Sequence, residues 1–231
     1  MSDEAVSAVD VSSSPFEQAY QDLRDLIIGG RFPLNARLTD AELTKLLDVS
    51  RGTVRSVTAR LAQEGYLVAE PHRGVRTRGF TIEEAIDILE AREVLESALA
   101  GKAATTATED EIQGLASVLE QMADAESRHD AAEYSGLNRE FHRRVREAAR
   151  QQTMSMFVDS LHYPLVMRQY RDLARAHPRP DSLSEHRAIF YALRTRNVEA
   201  ASAAMRHHVA SARRALLINA QRGRVTPVVT E

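Results

Sequence analysis

The stretch Thr39-Asp40-Ala41-Glu42-Leu43-Thr44-Lys45-Leu46-Leu47-Asp48-Val49-Ser50-Arg51-Gly52-Thr53-Val54-Arg55-Ser56-Val57 decides how the first third of the chain folds. Thr39 with Glu42 three residues on is a capping-box start for a short helix carrying Leu43, Leu46 and Leu47. Asp48-Val49-Ser50 reads as a tight turn, and Ser50 as the cap of a helix whose Val54, Val57 and Leu61 share one face. Arg51, Thr53, Arg55 and Ser56 are left outward near its N-terminal end. Upstream, Phe16, Tyr20, Leu23 and Ile27 fall at helical spacing and Gly29-Gly30 supplies a stop. Downstream, Gly65 closes the third helix, and two short runs at 66–69 and 75–77 flank Glu70-Pro71-His72-Arg73-Gly74, which has the turn residues of a hairpin.

Helix, helix, short turn, helix and hairpin is the layout of a winged helix-turn-helix, whose second motif helix enters the major groove of DNA. Arg donates a bidentate pair to guanine, and Ser or Thr hydroxyls reach bases or phosphates. The charge distribution points the same way. Net charge is -3, yet residues 50–80 hold Arg51, Arg55, Arg60, Arg73, Arg76 and Arg78 against Glu64 and Glu70. A basic block of this kind suits phosphate, because neutralising phosphates releases counterions. Residues 79–128 reverse the sign, with twelve Asp or Glu against Arg92, Lys102 and Arg128. That reversal marks a domain boundary near residue 79.

With 231 residues, 43% of them hydrophobic, the chain is long enough for two domains. The absence of Cys excludes disulfides and thiolate metal sites, leaving His, carboxylate or amide oxygen as metal donors. The acidic start Met1-Ser2-Asp3-Glu4 and the lack of a long apolar run predict a soluble, cytoplasmic protein with no membrane partner. Residues 1–14 and 220–231 read as flexible tails around a DNA-binding domain at 15–79 and a helical domain at 80–219.

Residues 81–217 fit six amphipathic helices, with breaks near 107–108, 129–130, 151–152, 177–180 and 195–197, and further capping boxes at Thr108/Glu111 and Ser182/Glu185. This predicts a mostly α protein: an N-terminal winged helix-turn-helix followed by an antiparallel all-helical bundle. Pro164 falls inside a helix expected from Met154 to Arg171 and is expected to kink it. Polar residues interrupt the apolar stripes at particular places. Arg92 and Glu96 share a stripe with Ala85, Leu89 and Leu99; Asn138 and His142 stand one turn apart beside Leu137, Phe141 and Val145; His186 heads a stripe with Ile189, Phe190 and Leu193; His208 lies with Ala201, Met205 and Ala212. A single inward histidine is more often a hydrogen-bonded core residue than a ligand. Three histidines and an amide from three helices suit a metal, since imidazole binds Zn, Ni, Cu and Fe, with positions left for water or a ligand; the ion expected here is Zn or Ni.

The segments Arg37-Leu38-Thr39-Asp40-Ala41-Glu42-Leu43, Val49 to Arg55, Leu61 to Val68 and Arg73-Gly74-Val75 resemble the DNA-binding domain of GntR-family regulators. The resemblance implies DNA contacts from Arg37, Arg51 and Arg55, with the wing tip, His72, Arg73 and Gly74, approaching the minor groove; Ser50 and Thr53 complete the expected DNA-binding set. The family usually has Pro where Thr53 stands and Gly where Asn35 stands; Asn also tolerates positive φ. Arg92-Glu93-Val94-Leu95-Glu96, Asn138-Arg139-Glu140-Phe141-His142, Glu185-His186-Arg187-Ala188-Ile189 and Met205-Arg206-His207-His208 resemble the FCD ligand-sensing domain of the FadR subfamily. Metal-binding members have Asp, His, His and His at the places of Asn138, His142, His186 and His208, so the resemblance implies a metal at these four residues.

Arg92 and Arg168 lie on inward stripes, and buried cations need anions nearby. Either Glu96 neutralises Arg92 one turn away, or Arg92, Glu96 and Arg168 line the site of a small carboxylate effector, the class the resemblance implies. The leading reading is a homodimeric regulator of a double-stranded DNA operator, controlled by that effector. The alternatives are a metal-dependent enzyme acting on small carboxylates and a regulator whose helical domain only dimerises.

Overall fold

The computed structural model describes residues 14–70, 74–170 and 181–225, the last four of these in backbone only. The chain divides between Gly79 and Phe80 into two compact units.

In the N-terminal unit, α1 (Pro15–Gly29) is capped by Ser14 and stopped by Gly30 in the left-handed conformation at φ 89°. It buries Ala19, Tyr20, Leu23 and Ile27. Helix α2 (Asp40–Leu47) begins with the reciprocal Thr39/Glu42 capping box. Helix α3 (Arg51–Gln63) is capped by Ser50 and buries Val54, Val57, Thr58 and Leu61. The turn between them reverses at Asp48, at φ 52°, where Asp tolerates positive φ better than most residues. Strands β2 (Leu67–Glu70) and β3 (Gly74–Thr77) pair antiparallel, Val68 opposite Arg76 and Ala69 opposite Val75. A two-residue strand, β1 (Arg37–Leu38), pairs with the other edge of β3. Its brevity gave no alternation to read. Gly74 is needed where it stands: φ is +85°, and a Cβ there would lie 2.9 Å from the Leu38 carbonyl oxygen. Asn35 takes φ 57°, and its side-chain oxygen accepts from Arg76 Nη1 at 2.7 Å.

The C-terminal unit is all helical among the described residues: α4 (Ile82–Thr106), α5 (Glu109–Ser127), α6 (Ala131–Ala148), α7 (Gln152–Ser160), α8 (Tyr163–Gln169), α9 (Ser182–Arg194) and α10 (Val198–Val225). Capping boxes at Thr81/Glu84 and Thr108/Glu111 start α4 and α5. Leu99, Ala100, Leu115, Met122, Phe141, Ile189, Leu193 and Met205 belong to one continuous core. Small residues let α4 and α10 lie close: a Cβ on Gly101 would collide with Ser202 Oγ. Gln169 brackets the backbone of Phe80, its amide donating to the carbonyl at 2.5 Å and accepting from the N–H at 2.8 Å, and Tyr170 donates to the same carbonyl.

Four expectations are corrected. Pro164 kinks no helix: the chain breaks at Leu161-His162, with His162 at φ 53°, and Pro164 sits in the first turn of the new helix α8, where its missing N–H costs nothing. The described residues therefore carry seven helices in this unit instead of six. Helix α9 is preceded by Asp181 without a side-chain cap, so Ser182 and Glu185 form no capping box. Helix α10 also runs on to Val225, past the expected boundary at 219. The break expected at 177–180 lies outside the described residues.

Candidate metal centre and nucleic-acid interface

Helices α6, α9 and α10 bring His142, His186 and His208 together in the core of the C-terminal unit, all three buried, with candidate ligand nitrogens within 4.8 Å of one another. Phe141 packs edge-on against His186, with ring centres 5.1 Å apart. Each ring turns Nδ1 to an acceptor. His142 Nδ1 lies 2.5 Å from Glu96 Oε2, His208 Nδ1 2.9 Å from Glu185 Oε2, and His186 Nδ1 2.6 Å from the Ser182 carbonyl oxygen. Ionised carboxylates and carbonyls only accept, so all three hydrogens sit on Nδ1 and a neutral ring keeps its lone pair on Nε2. His142 Nε2 and His208 Nε2 are 3.2 Å apart. Two ligands on a tetrahedral ion, each bonded at ~2.05 Å, are separated by ~3.3 Å. The donor set and the His142–His208 spacing thus fit a divalent metal, with the His186 nitrogen within 4.8 Å of both. Asn138 stands one turn before His142 on α6 and is half-buried.

Arg92 and Glu96, on α4, form a buried ion pair, with Arg92 Nη2 2.5 Å and Nε 2.7 Å from Glu96 Oε1. The guanidinium also stacks on the Tyr163 ring, 3.4 Å from its centre. Burial by itself would raise the Glu96 pKa, but Arg92 and His142 outweigh it and hold the carboxyl far below the usual carboxylate range. The internal pair, one of the two readings of these residues, is therefore built. Arg168 is half-buried in the last turn of α8. Glu185 enters the sequence reading as a helix cap and as part of the Glu185–Ile189 stretch, with no role at the site; in the fold it orients His208. Its signal was positional: a carboxylate adjacent to a site histidine on a buried helix face.

In the N-terminal unit, Arg51 and Arg55 stand one turn apart on the exposed face of α3, and Arg37 is exposed on β1. Arg55 pairs with Asp40 at 2.9 Å while its side chain stays 75% exposed. Ser50 caps α3: its Oγ accepts from the Thr53 N–H at 3.1 Å and lies 2.9 Å from the Thr53 hydroxyl. Arg60 of the basic block braces the fold, pairing with Glu17 and Glu64 and stacking on Tyr20 at 3.8 Å. Gly74 is exposed, and His72 and Arg73 lie outside the described residues.

Residues 15–76 match the bacterial regulatory proteins of the gntR family and residues 87–211 match the FCD domain. The chain belongs to the GntR family of transcriptional regulators and carries an FCD domain. It is 26% identical to the HTH-type transcriptional repressor RspR of Escherichia coli, over 84% of this chain and 85% of that protein. It is 28% identical to a probable D-xylose utilization operon transcriptional repressor of Paenarthrobacter nicotinovorans, over 82% and 84%. A putative GntR regulator from a Rhodococcus species shares the fold at a TM-score of 0.73 and 26% identity, covering 89% of this chain and 98% of that one. The curated relatives are named transcriptional regulators, and this chain is a regulator, not an enzyme. No helix among the described residues is long and apolar enough to cross a membrane.

Proposed function

We propose that this protein is a cytoplasmic, homodimeric repressor or activator that senses a small carboxylate at a metal centre and adjusts its grip on an operator. His142, His186 and His208 hold a Zn-like or Ni-like ion, and the side-chain oxygen of Asn138 is the fourth protein donor. The observation that carries this reading is the common orientation of the rings: three acceptors fix three Nδ1 hydrogens and leave three Nε2 lone pairs as donors. Such an ion keeps a position open for a ligand oxygen, and Arg168, on the helix whose first residue covers Arg92, is the cation assigned to the rest of the effector. Arg92 and Glu96 border the site behind His142.

Operator binding is assigned to Arg51 and Arg55 as base or phosphate contacts, with Ser50 and Thr53 at the helix start, Arg37 on β1, and His72, Arg73 and Gly74 on the wing. The relative named for a D-xylose utilization operon supports control of a catabolic operon. The experiment is a thermal-shift screen of zinc-loaded protein against organic acids, followed by operator titration with each hit. A di- or hydroxycarboxylate is expected to raise the melting temperature and shift operator affinity roughly 5- to 150-fold, the usual range of coupling between two sites. An acid that stabilises the zinc-free protein equally well would place the effector away from the metal and refute the reading.

A further inference from the structure

We infer that Arg92 and Glu96 are positioning residues for the metal centre: Glu96 fixes the ring of His142 with Nε2 toward the ion, and Arg92 fixes Glu96. The inference rests on the metal-centre reading and changes the part these two side chains play in it.

Both carboxylate oxygens of Glu96 are committed, Oε1 to Arg92 and Oε2 to His142. Two guanidinium nitrogens converge on Oε1, while Tyr163 covers the guanidinium face. Glu96 is 1% exposed and Arg92 4%. Replacing a buried ion pair by apolar residues of similar volume is often neutral or stabilising, so such a pair is weak as a stabilising device. Orientation of another group is a use that an apolar pair could not provide. The pair is also unsuited to gripping an anionic effector, since Glu96 already satisfies the arginine and would repel a second carboxylate placed beside it.

Two carboxylates face the histidines, Glu96 toward His142 and Glu185 toward His208. Glu96 is neutralised by Arg92, so it fixes the proton and rotation of His142 without adding net negative charge. Glu185 holds His208 through Oε2, 2.9 Å from Nδ1, while its second oxygen lies 3.9 Å from the largely exposed His207. Orientation is therefore the role left to Glu96. In Glu96→Gln the amide can turn its NH2 group toward His142 Nδ1, which would move the ring hydrogen to Nε2 and cap the atom that must bind the ion.

The test is zinc affinity of the full chain by competition with a chromophoric chelator, with the cobalt(II) visible spectrum and the nitrogen-15 NMR tautomer of His142 as second readouts. Glu96→Gln is expected to weaken zinc roughly 10- to 100-fold, as loss of outer hydrogen-bond partners does at metal sites. It should also alter the cobalt spectrum and raise the Nε2–H population of metal-free His142. Arg92→Lys retains the charge but loses the two-nitrogen fork; it should weaken zinc to a smaller degree, and it decides the matter if Glu96→Gln does not fold. Parent-like affinity and an unchanged cobalt spectrum in the folded variants would overturn the inference. Failure of the parent itself to bind zinc would instead remove the metal-centre reading beneath it.

Discussion

Arg51 and Arg55 separate the cost of an exposed side chain to the fold from its value to DNA binding. Both lie on the exposed face at the start of α3, and Arg55 makes one ion pair with a 75% exposed side chain. A solvent-exposed pair is worth less than about 1 kcal/mol, because water and salt screen it and two long side chains lose rotamer freedom. Arg55→Ala should therefore lower the melting temperature of the N-terminal unit by only a few degrees, and Arg51→Ala by less. Operator binding is affected on a different scale. Losing a base-contacting arginine costs roughly 1–3 kcal/mol, or about 5- to 150-fold in dissociation constant. The assay is fluorescence anisotropy on a palindrome chosen from random DNA, since a two-fold dimer reads mirrored half-sites. A variant that has lost a base contact weakens on the selected site and loses discrimination at one base pair of each half-site. One that has lost a phosphate contact weakens on all sequences and flattens the salt dependence by about one unit of slope. If both variants keep parental affinity on specific and random DNA, α3 is not the recognition helix.

Three further outcomes are expected. Phe141→Ala should destabilise the helical unit by roughly 3–5 kcal/mol, because the ring is fully buried, and should lower metal affinity by releasing His186; Phe141→Leu should spare most of both in denaturant and metal titrations. Tyr20 donates to Glu64 at 2.6 Å, and burial followed by that carboxylate pushes its pKa up to about 12. The neutral phenol thus stabilises the N-terminal unit fully below about pH 10, and this contribution is lost as pH rises toward 12; unchanged stability across that window, or a Tyr20→Phe variant with the same alkaline profile, would contradict it. Asn138→Asp should tighten zinc binding by adding a negative charge to a neutral donor set, and equal affinity in both chains would remove residue 138 from the ligands.

The winged helix was legible because its boundaries are written in local chemistry: Thr39/Glu42, Asp48, Ser50 and Gly30 each perform the capping or reversal their residue types favour. The inward facing of His142, His186 and His208 was legible for a related reason, since helical periodicity shows which side of a helix meets the core. Periodicity does not show what a buried polar group meets there. Arg92 had Glu96 within reach along its own helix, yet the bond from Glu96 to His142 crosses from α4 to α6 and is set by packing. Glu185 reaches His208 across α9 and α10 in the same way. The break before Pro164 was not legible because Met154, Leu161 and Leu165 keep helical spacing in sequence straight through the left-handed turn at His162.

The measurement that tests the account most directly is the metal content of the purified chain after incubation with zinc and removal of excess, read by plasma mass spectrometry for the parent and for His186→Ala. About one ion per chain is expected in the parent and little in the variant, because three imidazole donors are needed to hold the ion. A parent without bound metal, or an ion retained in equal amount by His186→Ala, would contradict that expectation and leave the three histidines as a hydrogen-bonded polar core.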